Sequence, residues 1–250
     1  MSTVDYNIYE LSIYEVVKLL LMVGIVSTCF AVIFYDKVLY AAGGIIAVYP
    51  AFKQYKKSAV KRRKEQLLSQ FKYALDFLTT GLLAGMSLEK SFNECYKNLV
   101  HLFGKEALMC KEISLILNKI SLNEPIEKEI RRFSNRAHIR EINEFADMIE
   151  IGKRAGADMS QIMKNTSDVI MEKIFIKEEI LTITMSKRFE AKIMKAMPFL
   201  IVVYLRWGTE NYFQNLYHNV FGIIVMTIAI ICYFLACLWM DKITVMDEWE

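Results

Sequence analysis

The sequence predicts an all-α membrane protein in which a cytoplasmic six-helix bundle lies between two pairs of transmembrane helices. Three observations carry this prediction. Hydrophobic residues make up 54% of the 250 positions although 24% are charged, so the apolar and charged residues are segregated along the chain. Apolar residues in the middle of the chain recur with the period of an α-helix. A pattern typical of a helix end followed by a helix start occurs there repeatedly.

The repeated pattern is an Ala-Gly pair followed two residues later by a helix-capping residue. In the first copy Gly85 can adopt the left-handed backbone that ends a helix, and Ser87 can cap the next one. Gly156 and Asp158 repeat these roles, and Asn123 begins a weaker copy that continues into a proline. The pattern predicts helical hairpins, and ordinary helix-helix corners remain the alternative to a functional role for these turns.

The N-terminal part predicts a short cytoplasmic segment, residues 1–15, and a transmembrane hairpin, residues 16–52. The first segment lacks the basic start and the cleavage site of a secretory signal, so we expect it to be retained. Residues 19–35 are uncharged and long enough to cross a bilayer. Residues 38–52 are also apolar but shorter, so an interfacial or re-entrant segment is the alternative for this stretch.

Basic residues follow the first hairpin and precede the third predicted span. We expect them to bind anionic lipids on the cytoplasmic side, because cytoplasmic loops carry an excess of Lys and Arg. Nucleic acid is the less favoured partner, since the position of these residues beside a span already explains them. The juxtamembrane collar, residues 53–64, contributes Lys53, Lys56, Lys57, Lys61, Arg62, Arg63 and Lys64, and the second group is Lys187, Arg188 and Lys192.

The bundle is predicted to occupy residues 65–192, including a helical stalk at its end. The expected core residues recur along six helical segments: Leu67, Phe71, Leu75, Leu78, Leu82; Leu88, Phe92, Cys95, Leu99; Leu108, Leu115, Ile116, Ile120; Ile126, Ile130, Phe133; Ile139, Ile142, Phe145, Ala146, Ile149; Met159, Ile162, Met163, Thr166, Val169, Ile170. Neither Gly nor Pro interrupts residues 158–197, which predicts one rigid helix toward the membrane.

Residues 193–240 predict two C-terminal transmembrane helices joined by an external loop at about 208–219. Pro198 is expected to kink the stalk where it enters the bilayer. The last span, residues 220–240, carries no charged residue. Its end would return the acidic tail, residues 241–250, to the cytoplasm.

Sequence motifs for catalysis, nucleotide binding or metal binding are absent from the chain, so we expect neither an enzyme nor a cofactor. The carboxylates of Glu141, Glu144, Asp147 and Glu150 follow one another along the fifth bundle helix and could bind a cation. A solvated acidic face is the favoured interpretation, because basic residues lie close enough in sequence to neutralise it. These residues are Arg140, Lys153 and Arg154.

The order of three motifs resembles the type II secretion system F domain family, and more narrowly the inner-membrane platform proteins of Tad-type (tight-adherence, Flp) pilus systems. The resemblance covers about residues 71–240 and rests on the succession of the motifs rather than on any one of them. The motifs are Leu83-Ala84-Gly85-Met86-Ser87-Leu88, then Ile151-Gly152-Lys153-Arg154-Ala155-Gly156-Ala157-Asp158-Met159, then Met197-Pro198-Phe199-Leu200.

This resemblance implies a non-enzymatic scaffold in the bacterial plasma (inner) membrane, with both termini in the cytoplasm. Its bundle would contact a hexameric secretion ATPase, and its spans would engage pilin or pseudopilin subunits. Gly85, Gly156 and Pro198 would be signature residues of the fold. Asn123 departs from the glycine that the family often has at that turn. Because the classical type II version carries two such domains, the single domain here implies a sister platform protein or a homodimer.

Two other functions remain open. A transporter subunit would need ionisable groups within its spans, which this sequence hardly supplies. A membrane sensor that binds a soluble partner through its bundle is compatible with the same residues.

Overall fold

A computed structural model describes residues 6–7, 13–35, 45–155, 159–208 and 220–246. Every regular element in these ranges is an α-helix, so the all-α class is confirmed. The helices are α1 (Ile13–Tyr35), α2 (Ile45–Leu83), α3 (Leu88–Phe103), α4 (Leu108–Ile120), α5 (Ile126–Ala137), α6 (Arg140–Ala155), α7 (Met159–Gly208) and α8 (Val220–Met246).

The chain divides into two compact units. The first combines Met1–Glu10 with Gln54–Lys177, and the second combines Leu11–Lys53 with Glu178–Glu250. The first unit therefore holds α3 to α6 together with parts of α2 and α7, six helices that we call the bundle; it extends over residues 54–177, whereas the sequence predicts residues 65–192. The boundaries predicted for the membrane segments stay predictions.

The core of the bundle is built from the stripes that the sequence predicts on α2, α5 and α6. Phe71 of α2 and Phe145 of α6 are both buried, and their rings meet edge to face with centroids 5.5 Å apart. The prediction is less accurate for α4. Its apolar residues form two overlapping stripes, and the structure buries Met109 and Ile113, whereas Leu115 and Ile120 are only half-buried.

Two helices are longer than the sequence predicts. The basic collar is not a separate segment, because α2 runs through it without a break from Ile45 to Leu83. Its Lys, Arg, Glu and Gln residues favour helix, and neither Gly nor Pro occurs between Pro50 and Gly81. Similarly, α8 continues past the predicted end of the last span at residue 240 to Met246.

The start of α4 is held by a side chain of α2. Ala107 precedes the helix and supplies no side-chain cap. Gln70 provides one from across the core, since its Oε1 accepts a hydrogen bond from the backbone N of Met109 at 2.9 Å. This buried bond fixes the position of α4 along α2.

Within the second unit, α7 and α8 are in contact. The ring of Phe199 meets that of Tyr233 edge to face at 5.4 Å. The hydroxyl of Tyr233 donates to the carbonyl O of Lys195 at 2.6 Å. Across the described helices, none has both the length and the apolar character that crossing a membrane requires.

Candidate functional site

The first signature turn ends α2 with a glycine in the left-handed region. Gly85 has φ 78°, and its N donates to the carbonyl O of Leu82 at 3.0 Å. The N of Met86 donates to the carbonyl O of Gly81 at 3.1 Å, which completes a Schellman motif. Ser87 then caps α3, because its Oγ accepts a hydrogen bond from the N of Lys90 at 3.3 Å.

The second turn has the same geometry with an asparagine in the glycine position. Asn123 has φ 62°, and its N donates to the carbonyl O of Ile120 at 2.9 Å. The N of Glu124 donates to the carbonyl O of Lys119 at 3.1 Å. Asparagine tolerates this conformation better than most residues, which explains how the departure from glycine is accommodated. Pro125 then lies at the N-cap of α5.

For the third turn, the structure describes only the helix that follows it. Gly156 and Asp158 lie outside the described residues, and α7 begins at Met159. Ser160, in the first turn of α7, donates from its Oγ to the carbonyl O of Leu82 at 3.1 Å. The start of α7 therefore contacts the first signature turn directly.

We infer that the ends of α2, α4 and α6 lie at one end of the bundle, because α3 packs on α4, α4 on α5 and α5 on α6, as neighbouring helices joined by short turns do. An ion pair supports this arrangement, because Lys153 near the end of α6 lies 2.7 Å from Glu127 near the start of α5. Three large apolar side chains are exposed here: Leu83 at 53%, Leu122 at 69% and Ile151 at 64%. We call these three residues the turn face.

The basic residues predicted to meet lipid differ in their surroundings. In α2, Lys53, Lys56, Lys57 and Arg62 are exposed. Lys61, Arg63 and Lys64 are half-buried and contact protein groups instead, Lys61 being 3.9 Å from Glu65. In α7, Lys187 and Lys192 are exposed, Arg188 is half-buried, and Pro198 lies inside the helix.

The acidic face of α6 is paired with basic residues. Arg131 of α5 lies 2.5 Å from Asp147 and 2.8 Å from Glu150. Lys173 of α7 lies 2.8 Å from Glu144. The remaining pairs are Glu141 with Lys177, Glu144 with Arg140 and Glu150 with Arg154. Sequence spacing thus identifies Arg140 and Arg154 correctly as partners of the acidic face. It is wrong for Lys153, which pairs with Glu127 instead, and it misses the partners on α5 and α7.

Most of these ion pairs connect α6 with α5 or α7, which favours a structural role over a ligand-binding role. Among the described residues, no group of three or more His, Cys, Asp or Glu side chains is placed to hold a metal ion. The hydrogen bond from Lys173 holds the pKa of Glu144 below its usual value, and Arg131 does the same for the pKa of Glu150. The carboxylates therefore stabilise the contacts of α6 with α5 and α7 in their ionised form.

The Lys173 pair predicts a pH dependence of stability. Because the folded state lowers the pKa of Glu144, the stabilisation is fully present above the ordinary value of 4.5 and is lost as the pH falls below it. At neutral pH, Lys173→Met should lower the free energy of unfolding by up to about 1 kcal/mol. Urea unfolding across a pH series measures this difference, which should shrink toward zero in acid. A difference that persists in acid would contradict the pairing.

The described geometry offers an apolar face at the turns and cross-helix ion pairs that hold the bundle together. Such a face is suited to contact with another macromolecule, since exposed apolar side chains gathered in one place often mark an interaction surface. No family model, curated protein or solved structure matches this chain.

Proposed function

We propose that this protein is an inner-membrane platform of a type II secretion-related or Tad pilus assembly machine. It would couple a hexameric secretion ATPase in the cytoplasm to the extraction and assembly of pilin subunits. The observation that carries the proposal is the 50-residue helix α7, which runs unbroken from Met159 to Gly208. This helix contributes residues to both compact units, and the division between them falls after Lys177.

The first part of α7 is firmly attached to the bundle, as a coupling element must be. Met163, Ile170 and Ile174 are buried in the bundle core. Lys173 and Lys177 add ion pairs to Glu144 and Glu141 of α6. A displacement of the bundle would therefore move this end of α7, and an unbroken helix would carry the movement along its length.

Membrane anchoring is the second part of the proposal. The sequence from 220 to 240 carries no charged residue. The described side chains of this stretch are largely exposed and apolar, which suits contact with lipid tails rather than with water. The exposed apolar residues on α8 are Ile224, Val225, Ile228, Ile231, Phe234, Leu235, Leu238 and Trp239. Pilin subunits and a sister platform or second copy would then meet the protein through its apolar helices.

The turn face is the proposed contact with the ATPase. It consists of Leu83, Leu122 and Ile151, three exposed residues at or near the ends of α2, α4 and α6. In residues 54–177 most other large apolar side chains are used in the core. The fully buried centre of a protein interface is more apolar than its rim, so exposed apolar side chains suit the centre of such a contact.

Leu122→Asp tests this contact. A charge placed in an apolar interface should reduce co-purification of the ATPase with the full-length protein by about tenfold or more, because the carboxylate would have to be desolvated. The matched control is Leu102→Asp, since Leu102 is 53% exposed but lies in the last turn of α3, away from the turn face. Equal ATPase recovery from both variants and the wild type would reject the turn face as the contact.

A further inference from the structure

We propose that Tyr6 and Asn7 form a releasable strap that holds the N-terminal segment of the chain on the bundle. The receiving site, which we call the socket, consists of Arg63 on α2, Glu112 on α4 and Arg136 on α5. The strap is independent of the proposed function, because it follows from contacts within the first compact unit alone.

The hydroxyl, the ring and the backbone of Tyr6 all contact the socket. Its side chain is only 2% exposed, although it belongs to a polar terminal segment. The hydroxyl donates to Oε1 of Glu112 at 3.0 Å, and the guanidinium carbon of Arg63 lies 5.1 Å from the ring centre. The backbone N donates to the carbonyl O of Arg136 at 3.1 Å.

Asn7 adds a second attachment through a lysine of the collar. The Nζ of Lys64 donates to Oδ1 of Asn7 at 3.0 Å and to the carbonyl O of His138 at 3.4 Å. His138 ends α5 in the left-handed conformation, with φ 50°. The strap therefore contacts α2, α4 and the junction between α5 and α6.

The chemistry of the socket allows the strap to leave. Glu112 is 2% exposed, but its second oxygen accepts a hydrogen bond from Nη2 of Arg136. Departure of Tyr6 thus leaves a carboxylate that is still paired, whereas loss of Arg136 would leave a buried charge alone. Burial, and then the charge of Glu112, raise the pKa of Tyr6, so its hydroxyl stays a donor at neutral pH. Release breaks contacts to the charged groups of Glu112, Arg63 and Lys64, but the buried carboxylate of Glu112 keeps its partner Arg136.

Hydrogen-deuterium exchange of the full-length protein, with fragmentation that resolves single amides, tests the strap. In the wild type the Tyr6 amide should exchange at least about tenfold faster than that of Ile113 in the core of α4, yet more slowly than an unprotected amide. In Tyr6→Ala the amide at this position should lose its protection, and exchange should rise around Glu112 and Arg136 only. Tyr14→Ala is the matched control, because Tyr14 is exposed on α1.

Three results would overturn the proposal. A Tyr6 amide without protection in the wild type would mean that the segment does not occupy the socket. Exchange of this amide at the rate of the α4 core would make Tyr6 a permanent core residue. Loosening of the whole bundle in Tyr6→Ala, or failure of that variant to fold, would lead to the same rejection. Tyr6→Phe, which keeps the ring but loses the bond to Glu112, should lie between the wild type and Tyr6→Ala.

Discussion

Gly81→Leu should destabilise the bundle by about 3 kcal/mol, the upper part of the usual range for overpacking a core. Gly81 lies in α2 next to Ser91 of α3. A Cβ at this position would lie 2.9 Å from Oγ and 3.1 Å from Cβ of Ser91, which is fully buried. Neither helix can yield easily, because the Schellman turn and the Ser87 cap join them directly after this contact. Urea unfolding of the full-length protein measures the loss.

Gly85→Ala separates this steric effect from the effect of losing a glycine. A Cβ at Gly85 would meet nothing within 4 Å, and only its φ of 78° is unfavourable. The expected loss is therefore about 1 kcal/mol. The packing interpretation also requires that Gly81→Ala cost less in a Ser91→Gly background than alone. Equal costs in the two backgrounds would mean that Ser91 is not the obstacle.

Sequence reasoning succeeds where one physical constraint dominates. The stripes on α2, α5 and α6 are predictable because each of these helices has a single apolar face. Gly85 and Asn123 are predictable as left-handed residues because few residue types adopt positive φ at low cost. The two overlapping apolar stripes of α4 do not show which of its residues are buried. Only packing against neighbouring helices selects Met109 and Ile113.

The features that sequence reasoning misses depend on partners that are distant in the chain. The hydroxyl of Tyr6 donates to Glu112, which lies 106 residues away in the sequence, and a lone tyrosine in a polar segment carries no signal for this contact. From the sequence alone, Gly81 is an ordinary glycine within a helix, and its requirement for a missing Cβ is apparent only when the position of Ser91 is known. Lys173, which pairs with Glu144, and Arg131, which pairs with Asp147, are likewise supplied by other helices, beyond the reach of i, i+4 spacing.

If the protein is the pilus platform proposed above, replacing Glu178 and Glu179 by Gly and Pro should abolish piliation without changing its recovery in the membrane fraction. The two residues follow the division between the compact units, inside the unbroken helix α7. The proline removes one backbone hydrogen bond and clashes with the preceding turn, at a cost of about 3 kcal/mol, and the glycine weakens the helix further. Because the core contacts of α7 end at Ile174, the bundle should keep its fold. Electron microscopy of pili and membrane fractionation measure the two outcomes.

The matched control replaces the same two residues by alanine. It removes the same carboxylates but favours helix, so a role for the acidic side chains is separated from a role for helix continuity. If α7 transmits movement, the Ala-Ala variant should assemble pili and the Gly-Pro variant should not. Normal piliation in the Gly-Pro variant would refute the coupling role, because a broken helix cannot carry a displacement along its axis. Loss of pili in both variants would assign the defect to the carboxylates, and α7 would then act as a contact surface instead of a rod.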